Sequence, residues 1–190
     1  VDAPSWDRTG VIIFDFIYFP DNSDDEEKIL CRYPQFYGAL SLFNNIQKNL
    51  KPNGSGKGGT YFGATGCGKS HTMLFLSRLI MKNKSLGSPT IIFITDRTDL
   101  DDQLSKLFEN SKNFLFDENI SSVESRNDLK EKLKNRKSGG IFLTTIQKFS
   151  EDIGLLTERA NIIVIADEAH RSQLNIEEKI EINTESFKSK

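Results

Sequence analysis

Two short stretches of this chain carry residue types whose spacing can do chemistry. The first is GATGCGKS, residues 63–70, with the spacing G-x-x-x-x-G-K-S. Gly63, Gly66 and Gly68 allow the backbone to bend around an anion with its N–H groups turned inward. Ala64, Thr65 and Cys67 lie between them and belong to the same cradle. A helix predicted from Lys69 aims its positive dipole end at the same point. Lys69 can reach the β- and γ-phosphates of a nucleotide, and the Ser70 hydroxyl can ligand Mg²⁺. The alternative is a glycine-rich turn that only caps a helix. An apolar strand before it and an amphipathic helix after it are the context that phosphate binding requires. Gly56-Lys57 imitates the motif, but Gly58 follows where Ser or Thr is needed.

The second stretch is ADEAH, residues 166–170, at the end of the apolar run NIIVI. Asp167 can hold Mg²⁺, usually through water. Glu168 can orient and deprotonate an attacking water. Such a pair turns a nucleotide-binding site into a hydrolase. An acidic strand end without chemistry is the alternative, and the apolar strand that feeds it argues against that.

Regular elements must position these groups. VIIFDFIYF, 11–19, reads as a strand, followed by an acidic loop at 20–27. Phe36, Leu40, Phe43, Ile46 and Leu50 recur at helical spacing, which predicts a helix over 33–50. PNGSGKGG, 52–59, reads as a flexible loop, and Thr60–Phe62 as a short strand entering the glycine motif. The next helix runs from about Lys69 to Lys84. PTIIFITD, 89–96, is a strand, and Asp96 or Thr98 is placed to cap the helix DLDDQLSKLF. A weak strand is expected at Phe114–Phe116 and a helix near 127–136. GIFLTT, 140–145, and NIIVIADE, 161–168, show little alternation, as strands buried on both faces do. Strand–helix alternation then implies a parallel sheet.

The bulk numbers set the frame. With 190 residues, 37% hydrophobic and 27% charged, the chain is an ordinary globular candidate. A formal net charge of -2 gives no global signature of a nucleic-acid binder, although Lys is common between Lys82 and Lys137. Cys31 and Cys67 read as free thiols in a reducing compartment, because a disulfide at Cys67 would rigidify a ligand loop. The longest apolar run, 11–19, is interrupted by Asp15 and too short to span a bilayer. The start VDAPSWDRTG has no basic region followed by an apolar one, so it does not read as a signal peptide. It lacks an initiator Met, which hints at a piece of something longer.

GATGCGKS together with DEAH resembles the first motor domain of superfamily 2 helicases and translocases. RYPQF (32–36), TIIFITDRTDLDDQL (90–104), LTTIQKF (143–149) and DEAHRSQ (167–173) narrow this to a resemblance with the motor subunit of type I restriction enzymes, over about residues 9–175. The resemblance implies a RecA-like P-loop NTPase fold: three layers, α/β, with a mostly parallel sheet and helices on both faces. It implies ATP and Mg²⁺ as cofactors, and Lys69, Asp167 and Glu168 as catalytic residues. Ser70 and Asp167 would hold the metal. Gln35 would contact the adenine edge with Arg32 nearby, the other reading of Gln35 being a surface helix residue. Arg97 and the segment with Thr144, Thr145 and Gln147 would lie on a DNA-tracking face. Arg97 as a surface charge and Thr144–Thr145 as a plain strand end stay open. His170 would couple the nucleotide site to a partner motor domain, or else cap or fill the core. His71 reads as structural, and Cys67 as a small loop residue rather than a nucleophile.

The same resemblance implies translocation of double-stranded DNA before cleavage, modification and specificity subunits as partners, a bacterial cytoplasmic location and no membrane. It divides the chain into a flanking segment over 1–31, a motor domain over 32–175 and a charged tail over 176–190. The family's second motor domain, which supplies arginine fingers, is not found here. Its nuclease signature is imitated by Pro20-Asp21 with Glu26-Glu27-Lys28, and by Glu177-Glu178-Lys179. Both read as solvated charge, so no nuclease site is expected. Another superfamily 2 DNA or RNA helicase, or a nucleotide-binding scaffold without turnover, are the other readings.

Overall fold

The computed structural model describes residues 14–22, 27–64, 66–96, 98–134, 136, 138–149, 157, 159 and 161–168. Its centre is a four-stranded, wholly parallel sheet. The strands are β3 (Thr90–Thr95), β4 (Ile120–Ser122), β5 (Ile141–Thr145) and β6 (Ile162–Ala166), in spatial order β4-β5-β3-β6. Ile91 pairs with Ile141 on one side and with Ile163 on the other. A two-stranded antiparallel ribbon, β1 (Ile17–Tyr18) with β2 (Ile29–Leu30), stands apart from this sheet.

The central strands sort their side chains with period two. Ile91 and Phe93 of β3 and Ile141 and Leu143 of β5 enter the larger core. That core also takes Leu74, Phe75, Leu79 and Ile80 from α2 (Lys69–Lys82), Leu104 and Phe108 from α3 (Thr98–Glu109), and Phe36, Ala39 and Ile46 from α1 (Tyr33–Lys48). The alternate residues, Ile92, Ile94 and Phe142, face a smaller core with Val123 and with Leu129 and Leu133. The last two come from α5 (Arg126–Lys134), which follows the short α4 (Lys112–Leu115). Helices therefore cover both faces, and the α/β three-layer expectation holds. Each fully buried Leu, Ile or Phe contributes about 1.5–3 kcal/mol.

Several local expectations are corrected. Of the strand expected over 11–19, residues 11–13 lie outside the described residues; among the rest only Ile17–Tyr18 is a strand, and Phe14–Asp15 are helical. Phe114 and Leu115 lie in α4 rather than in a strand, and Phe116 closes it with a left-handed φ of 55°. Thr60–Phe62 joins no strand. This segment runs back along α1 instead. A Cβ on Gly38 would lie 2.7 Å from the Tyr61 ring, and Asn45 Nδ2 donates to Gly58 O at 2.8 Å. Phe62 is left 95% exposed. The loop over 52–59 is tied down rather than loose, by bonds from Gly54 N to Leu50 O and Gly56 N to Asn49 O. β6 is half-buried, not buried on both faces, because it is the sheet's edge among the described residues; Val164 is 51% exposed.

Asp21, half of the nuclease-like mimic, is structural. Its Oδ2 accepts from Asn113 N at 3.1 Å, and its own N–H donates to Asn110 O. Residues 169–190, and with them His170 and the tail, lie outside the described residues, as do Thr65 and Arg97. Among the described residues no helix is long and apolar enough to cross a membrane.

Candidate active site

The glycine motif sits where α2 begins. Gly66 and Gly68 have φ of 76° and 84°, a left-handed region that only glycine enters without strain. Gly68 is the residue before the helix, and the Thr72 N–H and hydroxyl both donate to its carbonyl, at 3.1 and 3.3 Å. Cys67 N–H donates to Ala64 O at 3.1 Å and closes the loop. A Cβ on Gly63 would come 2.5 Å from Cys67 Sγ, so any side chain there would displace Cys67. Lys69 Nζ donates to Gly63 O at 3.3 Å, so the ammonium is folded back over the mouth of the loop. A neutral carbonyl is a weak partner for an ammonium, and a phosphate oxygen displaces it readily. Ser70 is exposed beside it.

The loop is held from α1. Gln35 is buried, at 5% exposure, and not a surface helix residue. Its Nε2 donates to Gly68 O at 3.2 Å and reaches Cys67 O at 3.4 Å. Its Oε1 accepts from Arg32 N at 2.7 Å. The structure thus brings Arg32, Gln35 and the glycine loop together. A Cβ on Gly68 would collide with Gln35 Nε2, so this glycine serves a close approach as well as a turn. That clamp was not foreseen from the sequence. The signal was present in a weak form: Gln35 stands three residues after Arg32, the spacing at which a side chain returns to the helix start.

The far end of α2 is anchored by charge. Arg78 Nε donates to Asp15 Oδ1 at 3.2 Å, and Lys82 Nζ meets the same carboxylate at 2.9 Å. Arg78 also donates to Phe114 O at 2.7 Å and stacks on Phe116, 4.2 Å from the ring centroid. Burial pulls its pKa down, and Asp15 opposes this. Asp15, read only as an interruption in an apolar run, is a buried ion-pair partner. His71 is half-buried, and burial together with Arg32 lowers its pKa from the ordinary 6.5.

The acidic pair sits beyond β6. Asp167 N–H donates to Ile94 O at 2.8 Å, extending the parallel ladder one step past the strand. Its Oδ1 accepts from Glu168 N at 2.9 Å. Glu168 has a φ of 50°, uncommon for a residue with a side chain. Backbone strain of this kind gathers at functional sites. Among the described residues no group of three or more His, Cys, Asp or Glu could hold a metal. The donor set instead suits Mg²⁺ taken with a nucleotide: one hydroxyl, one carboxylate, and phosphates and waters for the rest.

The residues expected on a DNA-tracking face divide. Thr144 and Thr145 are each 1% exposed. Thr144 Oγ1 donates to Thr145 O, and Thr145 Oγ1 accepts from Lys148 N at the start of α6 (Ile146–Phe149). In this arrangement both act as a strand end, and neither side chain is available to a phosphate. Gln147 is exposed, and its Nε2 donates to Asp96 O at 3.3 Å, bridging the exits of β3 and β5.

The sequence profile of the SWI2/SNF2 ATPase family matches residues 34–187. The chain is 37% identical over 158 residues to the type I restriction enzyme HindI endonuclease subunit of Haemophilus influenzae, covering 80% of this chain and 15% of that protein. It is 39% identical over 156 residues to the putative MjaIXP endonuclease subunit of Methanocaldococcus jannaschii, covering 78% and 14%. It is 30% identical over 173 residues to the C-terminal part of the putative MpnIIP endonuclease subunit of Mycoplasma pneumoniae, covering 85% and 80%. The chain thus spans about a seventh of the length of the first two relatives. The phosphate loop on α2, the acidic turn after β6 and these likenesses agree: the chain belongs to the SWI2/SNF2 ATPases, as the ATPase domain of a type I restriction endonuclease subunit.

Proposed function

We propose that this domain uses Mg-ATP hydrolysis to translocate double-stranded DNA before cleavage, within a bacterial cytoplasmic complex with modification and specificity subunits. The observation that carries the reading is a glycine-rich loop at a helix start whose lysine, among the described residues, is held by one exchangeable carbonyl. In this reading Lys69 leaves Gly63 O for the β- and γ-phosphate oxygens. The loop N–H groups and the α2 dipole hold the remaining phosphate charge. The Ser70 hydroxyl and the Asp167 carboxylate would hold Mg²⁺, which would supply charge neutralisation at the phosphates. Glu168 takes the proton of the attacking water. Gln35, with Arg32 beside it, reads the adenine edge, exchanging its bonds to the loop as it does so. Arg97 and Gln147 contact DNA phosphate, and His170 couples the site to the partner motor domain.

Closing the site needs an arginine finger from a second motor domain, so this chain alone binds ATP weakly and turns it over negligibly. The test uses the full restriction complex with Glu168→Gln, which keeps the shape but not the base. ATP affinity survives and turnover falls by about 10²–10⁴-fold. Cleavage of target-bearing DNA stops with it. Lost ATP binding makes Glu168 structural, and cleavage that persists without turnover disconnects the motor from the nuclease. Stimulation of the full subunit's ATPase by RNA rather than duplex DNA favours the RNA-helicase alternative.

A further inference from the structure

The charge of this chain is segregated along its length. From Lys28 to Thr95 there is no Asp or Glu, and there are nine Lys or Arg. The other residues carry sixteen cations against all 27 acids, so a net charge of -2 conceals a cationic part beside an acidic one. α1, the glycine-rich loop after it and α2 all belong to the acid-free stretch, and α1 packs on α2. Of the nine cations, Lys69 belongs to the phosphate loop and Arg78 and Lys82 to the Asp15 anchor.

Three of the remaining lysines are gathered at the far end of α1. Lys48 is in its last turn, and Lys51 and Lys57 lie in the loop folded back against it; all three are exposed. The loop is pinned in place. Asn49 Oδ1 accepts from Ser55 Oγ at 3.2 Å, Asn49 Nδ2 donates to Asn45 O at 2.9 Å, and Asn45 Nδ2 donates to Gly58 O. Gly56, with φ of 76°, lets the Lys51 side chain cross the loop; a Cβ there would lie 2.9 Å from Lys51 Cε. This brings Lys51 beside Lys57. Lys48 is thirteen positions beyond Gln35 on one helix, about 20 Å along its axis at 1.5 Å per residue, so the cluster is separate from the nucleotide's phosphates.

We propose that Lys48, Lys51 and Lys57 form a contact surface for the phosphate backbone of nucleic acid, distinct from the ATP site. A lysine cluster at a helix C-terminus also favours the helix dipole, but one cation in the last turn serves that purpose. Three, one on the helix and two on the loop pinned against it, in a stretch of sequence without an acid, present fixed positive charge to a partner that is itself a polyanion. Choosing duplex DNA as that polyanion rests on the motor reading; the charge of the surface does not.

The test is binding of the chain to a labelled random-sequence DNA duplex, followed by fluorescence anisotropy across a salt series. Wild type is compared with a Lys48→Gln/Lys51→Gln/Lys57→Gln variant and with a Lys106→Gln/Lys130→Gln/Lys134→Gln variant, which removes the same charge elsewhere. The expected result is a slope of log affinity against log salt shallower by about 2.7 in the first variant, about 0.9 for each lost phosphate contact. The second variant keeps the wild-type slope, and Mg-ATP binding is unchanged in both. An unchanged slope in the first variant, or equal losses in the two, overturns the surface and leaves the motor reading intact. Absence of duplex binding by wild type at low salt likewise overturns the surface. Competition by polyglutamate as effective as by DNA at equal charge overturns the nucleic-acid assignment in favour of an acidic protein.

Discussion

The two halves of the proposed nucleotide site are held by different means. The phosphate loop hangs from side chains: Gln35 grips the carbonyls of Cys67 and Gly68, and the Asp15–Arg78–Lys82 cluster anchors the other end of its helix. The acidic turn is held by backbone: Asp167 continues the ladder of β6 on β3, and Glu168 follows in a left-handed turn. A backbone ladder tolerates almost any side chain of suitable shape. A side-chain clamp depends on particular functional groups. Substitutions away from the reacting atoms should therefore disturb the phosphate loop more than the acidic turn.

The largest expected effects lie on the reacting groups and divide the halves by function. Glu168→Gln loses turnover and keeps nucleotide, as described above. Lys69→Ala does the reverse at the first step: calorimetric titration with Mg-ATP should show affinity down by about a hundredfold, since hydrogen bonds to charged groups are worth about 1.5–3 kcal/mol each. Equal binding by Lys69→Ala removes the phosphate-loop assignment.

A second pair of measurements concerns the anchors. Arg78→Leu leaves Lys82 as the ion-pair partner of Asp15 among the described residues and removes the Arg78 donors from Phe114 O and Phe14 O. Breaking a buried pair costs about 3 kcal/mol or more, which lowers the melting temperature by about ten degrees. A melting curve superimposable on wild type means that the α2 anchor is dispensable. Gln35→Ala is milder. It leaves loop carbonyls without their donor, at about 1–3 kcal/mol if they stay dry. Gln35→Glu is the sharper test, since it keeps the acceptor for Arg32 N and replaces the donor facing Cys67 O and Gly68 O by an acceptor. ATP binding weaker in Gln35→Glu than in Gln35→Ala supports the clamp; the reverse order contradicts it.

The parallel sheet and both chemical motifs were legible in the residues themselves. TIIFIT, IFLTT and IIVIA are short β-branched and aliphatic runs separated by polar helices, and that pattern admits few folds. Glycines followed by Lys-Ser at a helix start mark a candidate phosphate site because the chemistry is local: a loop and a helix end suffice to bind phosphate. Hydropathy did not distinguish Phe114–Leu115 as helix from strand, since short apolar runs suit either.

What only the tertiary structure decided depends on groups far apart in sequence. Thr60–Phe62 has the composition of a strand, yet a strand exists only if another pairs with it, and here α1 takes its place beside the segment. Gln35 is marked locally only by its spacing from Arg32, because the loop carbonyls it grips are 32 and 33 residues away. Asp15 resembles a break in an apolar run until Arg78, 63 residues on, reaches it. Thr144 and Thr145 resemble surface donors until the sheet buries them. Local sequence sets what a segment is able to form and which chemistry it can carry. The burial of a polar group, and the partner that makes that burial tolerable, are fixed by the packing of the whole chain.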